Sequence, residues 1–347
     1  MTVDAVNNDG IPGSVDTNKT ALAIPFTKLV LSGGSTQAFS FIGCIRLLEE
    51  RGALVDVGTI AGSSAGALVA FMMILGMSSQ DMQRWASDRL IDMHANELDI
   101  DDMLDVYSEM GIDKGEKLQC FLGDMCQSRI GVQDVTFCEL REAHGKKLRL
   151  VICASNLSTS EPEYFSYETS PHVSVITALR ASMCLPVFFA PVVIDGMMFA
   201  DGGLFENLPI LGAKEREVTT ETTSDMNEEK EKEMTLALNV PWTMAASLPT
   251  DLVQYSLYLV TSMLKRANHV TGSQSYPPLP PTEMKDVLIV DIDNDRNEDE
   301  PDSCRSRPFL GFCLDSMSFV IDKKQVAKYA KNGYEVLSKA LSFNTEL

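Results

Sequence analysis

Val55-Asp56-Val57-Gly58-Thr59-Ile60-Ala61-Gly62-Ser63-Ser64-Ala65-Gly66-Ala67-Leu68-Val69-Ala70-Phe71-Met72-Met73-Ile74-Leu75 decides the fold of this chain. The first third, Val55 to Ala61, is apolar and β-branched and reads as a buried strand. The last third, Ala67 to Leu75, is an apolar run long enough for a buried helix, stopped by Gly76. Between them lies G-x-S-x-G. A strand, such a turn and a helix make a nucleophile elbow. The turn is too sharp for side chains beside the serine, so glycines flank Ser64 at Gly62 and Gly66. The hydroxyl is then held exposed at a helix N-terminus, where dipole and free N–H groups favour a developing anion. The same residues also fit a plain small-residue turn between two buried elements.

Outward from the elbow, the neighbours repeat its logic. Phe26 to Ser32 reads as a first buried strand, broken by Gly33-Gly34-Ser35. A helix follows with Ala38, Phe41, Ile42, Ile45 and Leu48 on one face, and Gly52 as its stop. This βαβα start implies a parallel sheet. From Ser78 or Ser79 to about Gly131 the pattern is helical, an excursion that could wall or cap a site. Leu148 to Ala154 reads as a central strand, and Pro162 to Tyr167 as an edge strand. Ser170-Pro171 reads as the start of a helix carrying Val173, Ile176, Leu179 and Met183. Val192 to Ile194 and Met197 to Ala200 form a hairpin across Asp195-Gly196 and deliver Asp201-Gly202-Gly203.

Residues 1–25 are expected to be a flexible tail without a signal peptide, and 26–213 a catalytic domain. Residues 214–233 are an acidic stretch too polar to order itself, and 234–347 complete the same domain with late strands and helices. Leu252 to Val270 reads as a helix expected to pack on the core, and Lys323 to Leu341 as an amphipathic last helix.

The chain has 347 residues, 45% hydrophobic and 22% charged, enough for a large core. Its formal net charge of −20 argues against nucleic acid and against tight docking on anionic membrane. No apolar stretch is long enough to span a bilayer. The eight cysteines form no C-x-x-C pair; Cys44, Cys138, Cys153 and Cys184 read as small core residues, which fits an intracellular, reducing setting. No metal site and no cofactor are expected.

A serine nucleophile needs a base and an oxyanion hole. The four histidines, His94, His144, His172 and His269, read as surface residues in polar or helix-start settings. Asp201 is the better partner. It ends an apolar strand, and two glycines let the backbone turn behind it; a simple β-turn aspartate is the bland alternative.

Ser32-Gly33-Gly34, Gly62-Ser63-Ser64-Ala65-Gly66 and Asp201-Gly202-Gly203 occur in the order found in patatin-like phospholipases. The connecting text, Ala178 to Ser182 with Pro186, Asp195-Gly196 and Asn207-Leu208-Pro209, resembles that family too. The resemblance covers about Lys28 to Ala213. It implies a three-layer α/β/α sandwich with a mostly parallel sheet, and a Ser–Asp dyad that uses neither histidine nor metal. By that resemblance Ser64 is the nucleophile and Asp201 the base, with Gly62, Gly66, Gly202 and Gly203 as motif glycines. The same resemblance assigns Gly33, Gly34, Ser35 and Ala65 to the oxyanion hole.

The family's loop reads G-G-G-x-[RK]-G. Here it is Gly33-Gly34-Ser35-Thr36-Gln37-Ala38, so its fit depends on the backbone angles at Ser35. The implied activity is hydrolysis of lipid acyl esters, on phospholipid or neutral lipid, at a membrane or droplet surface. A lipid-binding or regulatory protein with weakened catalysis is one alternative. A Ser-Asp-His hydrolase using His269 is another.

Overall fold

A computed structural model of the chain describes residues 26–88, 110–143, 148–214, 234–241, 286–293 and 323–343, with isolated positions between 255 and 262. Among the described residues ten strands run in chain order: β1 (Lys28–Leu31), β2 (Thr59–Ser63), β3 (Gly111–Asp113), β4 (Arg149–Asn156), β5 (Glu161–Phe165), β6 (Val187–Phe189), β7 (Val192–Ile194), β8 (Met197–Asp201), β9 (Thr235–Asn239) and β10 (Val287–Asp291). The helices are α1 (Ser40–Glu50), α2 (Ala65–Ile74), α3 (Ser79–Asp88), α4 (Glu116–Ile130), α5 (Phe137–Ala143), α6 (Val175–Ser182), α7 (Ile210–Lys214) and α8 (Lys323–Phe343).

The main sheet has eight strands in the order β10-β9-β1-β2-β4-β8-β7, with β5 also on β4. The run from β10 to β4 is parallel, whereas β5, β8 and β7 join antiparallel. Successive side chains of a strand point to opposite faces. Leu29, Leu31, Ile60, Leu150, Ile152, Leu236 and Leu238 therefore enter one core, packed against α1, α2, α6 and α8. Val30, Ala61, Val151 and Ala237 enter a second, with Leu208, Ile210 and Ala213. Burial on both faces explains the unbroken apolar runs and gives three layers.

The pairing around β4 positions the site. β5 occupies one edge of β4 from Ile152 to Asn156. The other edge is shared: β2 pairs there up to Ser63↔Cys153, and β8 takes over from Asp201↔Ala154. Two strands of opposite direction thus meet end to end, and their termini, Ser63 and Asp201, sit beside consecutive β4 residues.

Several sequence expectations shift. The elbow strand begins at Thr59, because Val55 and Asp56 lie in the turn after α1 and Val55 is 83% exposed. The expected helical excursion to Gly131 is interrupted by β3, which pairs with β6. Gly111, inside that stretch, is a strand residue pressed against the Phe189–Ala190 backbone. The helix expected at Ser170-Pro171 starts later: Ser174 is the N-cap of α6, accepting from the Thr177 N–H at 3.0 Å. Cys138 is half-buried, unlike Cys44, Cys153 and Cys184. The expected tail, the acidic stretch after Lys214 and most of the Leu252–Val270 helix lie outside the described residues. Among the described residues no helix is long and apolar enough to cross a membrane.

Candidate active site

The elbow forms because β2 and α2 cross with no room between them. A methyl group on Gly62 would meet the Ala67 nitrogen and the Gly66 carbonyl at 2.5 Å, and one on Gly66 would overlap the backbone of Leu31 and Ser32. Ser64 sits between these contacts as the N-cap of α2, at φ 51 and ψ −125. A serine in this region is strained, by about 1–3 kcal/mol. The strain is held from behind. The Ser64 N–H donates to Ser182 Oγ at 2.9 Å, and that hydroxyl donates to the Cys153 carbonyl at 2.6 Å. The last residue of α6 therefore ties the elbow to β4.

Ser64 Oγ donates to Asp201 Oδ2 at 2.6 Å. The other carboxylate oxygen, Oδ1, accepts the Gly203 N–H at 2.8 Å. Asp201's own N–H reaches the Cys184 carbonyl at 2.8 Å, and its carbonyl accepts from Ser155 Oγ at 2.8 Å. Gly202 fills the notch between strand ends, where a side chain would overlap the Cys153 carbonyl and Ser63 Oγ. Asp201 is buried. That burial pushes its carboxyl up to about 6, against the opposing pull of the Ser64 and Gly203 hydrogen bonds. At neutral pH the group is ionised, and its basicity is closer to the working pH than an ordinary carboxylate's.

The loop after β1 lies against this pair. Gly34 precedes a short 3₁₀ turn, Ser35–Phe39, that leads into α1. Ser35 adopts φ 48, the left-handed conformation that favours glycine. The N–H groups of Gly34 and Ser35 find no protein acceptor among the described residues. Ala65 is the first residue of α2, where the N–H is free by helix geometry. Gly33 leaves the expected donor set, because its N–H is bonded to the Asn207 carbonyl at 3.1 Å.

Of the histidines only His172 is described, and it is exposed; His94, His144 and His269 lie outside the described residues. No group of three or more His, Cys, Asp or Glu among the described residues is arranged to hold a metal. Ser182 and Asn207 fall in stretches that the sequence singles out, yet nothing local announces their contacts. Their partners lie 118 and 174 positions away.

The family model for patatin-like phospholipase matches residues 29–214. The chain belongs to the patatin-like phospholipase family. The match begins in β1 and ends with α7, so it contains every residue of the site just described. Among curated relatives, a probable lipid hydrolase of Invertebrate iridescent virus 6 is 25% identical over 187 residues, 53% of this chain and 62% of that protein. Triacylglycerol lipase 3 of Saccharomyces cerevisiae is 26% identical over 192 residues, 52% of this chain and 29% of that protein. An uncharacterized NTE family protein of Mycobacterium tuberculosis is 29% identical over 193 residues, 54% and 45% of the two chains. This family member thus spans 62% and 59% of the first two relatives it matches. Among solved structures, VipD from Legionella pneumophila superposes with a TM-score of 0.49 at 15% identity, covering 92% of this chain and 67% of that one.

Proposed function

We propose that this protein hydrolyses carboxylic esters of lipids through a Ser64 acyl-enzyme, with Asp201 as the base. The observation that carries the reading is the 2.6 Å hydrogen bond from Ser64 Oγ to a buried, basic carboxylate. Ser64 Oγ attacks the ester carbonyl carbon as its proton passes to Asp201 Oδ2. The negative charge moves to the carbonyl oxygen, where the N–H groups of Gly34, Ser35 and Ala65 and the positive end of α2 stabilise it. Collapse breaks the ester C–O bond, and the leaving alcohol takes the proton from Asp201. Water then attacks the acyl carbon, giving its proton to Asp201. A second collapse frees the fatty acid and returns the proton to Ser64 Oγ.

The lipid surface as the place of action is supported by the sheet edge. The ends of β4 and β7 run past Asp201 on the side where β2 delivers Ser64, and there Leu157 and Val193 are exposed. Their acidic neighbours Glu161 and Asp195 favour a neutral or zwitterionic surface over an anionic one.

The test uses a water-soluble p-nitrophenyl ester and a serine-directed fluorophosphonate. Wild type should turn over the ester and take the label. Ser64→Ala should lose both while remaining folded, and Asp201→Asn should lose about 10²–10⁴-fold in kcat. Equal labelling of wild type and Ser64→Ala, or normal turnover by Asp201→Asn, would sink the assignment.

A further inference from the structure

The six residues after Asp201 reach the oxyanion loop. Within Asp201–Asn207 the backbone folds on itself: the Phe205 and Glu206 N–H groups both point to the Gly202 carbonyl, at 3.3 and 2.9 Å. Ser155 Oγ locks the start of the segment by donating to the Asp201 carbonyl, and accepts from the Phe205 N–H at 3.1 Å. The position of Asn207 is thereby fixed relative to Asp201.

Asn207 is 2% exposed and grips both peptide groups of Gly33. Its carbonyl accepts the Gly33 N–H at 3.1 Å, and its side-chain Nδ2 donates to the Gly33 carbonyl at 3.2 Å. Asn207 Oδ1 is buried without a hydrogen-bond partner. It lies over the Gly33 Cα, 2.5 Å from where a Cβ would stand, while the Ser64 Cβ is 3.1 Å from the same point. Gly33 is therefore sandwiched between the Asn207 amide and the nucleophile. The next two residues, Gly34 and Ser35, carry the free N–H groups.

We propose that Asn207 is a positioning residue that sets the spacing between the oxyanion donors and Ser64, so that one segment fixes both the base and the donor loop. The inference rests on the Ser64–Asp201 reading above. The Gly33 carbonyl has a second donor, Ser32 Oγ at 2.9 Å, and that hydroxyl also accepts the Val240 N–H at 2.9 Å. Removing the Asn207 amide therefore loosens the loop without releasing it. A displacement on the order of 1 Å at such donors costs about 10²-fold in rate.

The experiment measures kcat and KM for p-nitrophenyl butyrate from pH 4 to 9 in wild type, Asn207→Asp and Asn207→Ala, with circular dichroism and melting of each. Asn207→Asp keeps the size but removes the donor; Asn207→Ala removes the amide without adding charge. A folded variant should lose about 10²-fold in kcat and keep KM within about twofold, and Asn207→Ala, which adds no charge, should keep the acid limb of the profile at the wild-type midpoint. A kcat within about threefold of wild type would overturn the proposal. So would a loss carried by KM, or a shifted midpoint in Asn207→Ala, which would place the effect on binding or on Asp201. Failure of both variants to fold would overturn it as well, assigning Asn207 to the fold instead of the loop. An inactive wild type would sink the hydrolase reading itself, a separate outcome.

Discussion

The Asp201 carboxylate accepts two hydrogen bonds and the residue is 3% exposed, and burial still pushes the carboxyl up to about 6. In the unfolded chain the same group titrates near ~3.9. Between these values the native state holds a proton that the unfolded state has lost. The contribution to stability is therefore fully present below about pH 4 and lost as pH rises through about 6. Asp201→Asn should melt higher than wild type at pH 7, by roughly 3 kcal/mol at most, and the difference should vanish near pH 4. The wild-type rate should do the reverse, falling as pH drops below about 6; a melting difference independent of pH would refute the account. Ser35 invites a second substitution. At φ 48 it occupies a left-handed turn where the family pattern has glycine, so Ser35→Gly should relieve about 1 kcal/mol of strain and raise kcat without moving KM. An unchanged kcat and melting temperature would show that serine suits the loop. The hydrogen-bonded pair, Ser64 and Asp201, is legible in the sequence because glycines cluster around both residues for steric reasons. Ser182 and Asn207 are not, because a hydrogen bond to a backbone atom more than a hundred positions away leaves no local trace.

The elements were legible where their periodicity was driven by burial. α1 places Phe41, Ile42, Ile45 and Leu48 in the core as its spacing requires, and the hairpin turn Asp195-Gly196 shows φ 51 and 78, the positive angles of a type I′ turn. Element ends were less legible. Val55 is apolar but belongs to a turn, and β3 is too short to carry a pattern of its own: it is a strand because β6 lies beside it. The sharing of one β4 edge by β2 and β8 could not be read from either strand alone, although it is what brings Ser64 to Asp201. The contact of α1 with α8 is of the same kind. Gly43 and Gly333 let the two helices touch backbone to backbone, since a methyl on Gly333 would overlap the Ser40 carbonyl and one on Gly43 the Ala330 carbonyl. Cys44 Sγ donates to the Gly333 carbonyl at 3.3 Å, and Tyr334 OH to Glu50 at 2.7 Å. Gly333→Val should destabilise the fold by about 3 kcal/mol, seen as a lower melting temperature, because backbone cannot retreat as a flexible side chain can. A variant that melts like wild type would show that the helices can separate cheaply.

Across the whole molecule, the βαβα start made a parallel sheet legible, and the family resemblance supplied its three layers; the structure shows why the strands are apolar throughout, since each sends alternate residues into a different core. The positions of β9, β10 and α8 were harder, for they are far from the motifs in sequence and close to them in space. β9 pairs with β1, and α8 touches both α1 and the turn of residues 35–39. The order in which a ribosome makes these parts gives that last contact a meaning in time. α1 is finished at Glu50, but the helix that covers it begins only at Lys323. At roughly 5–20 residues per second, tens of seconds or less separate the two. From Asp201 onward a nascent chain carries its serine, its aspartate and its donor loop, but the helix behind the loop has not yet been made. The parts of the candidate site are synthesised first, and the helix that packs behind their loop is added last.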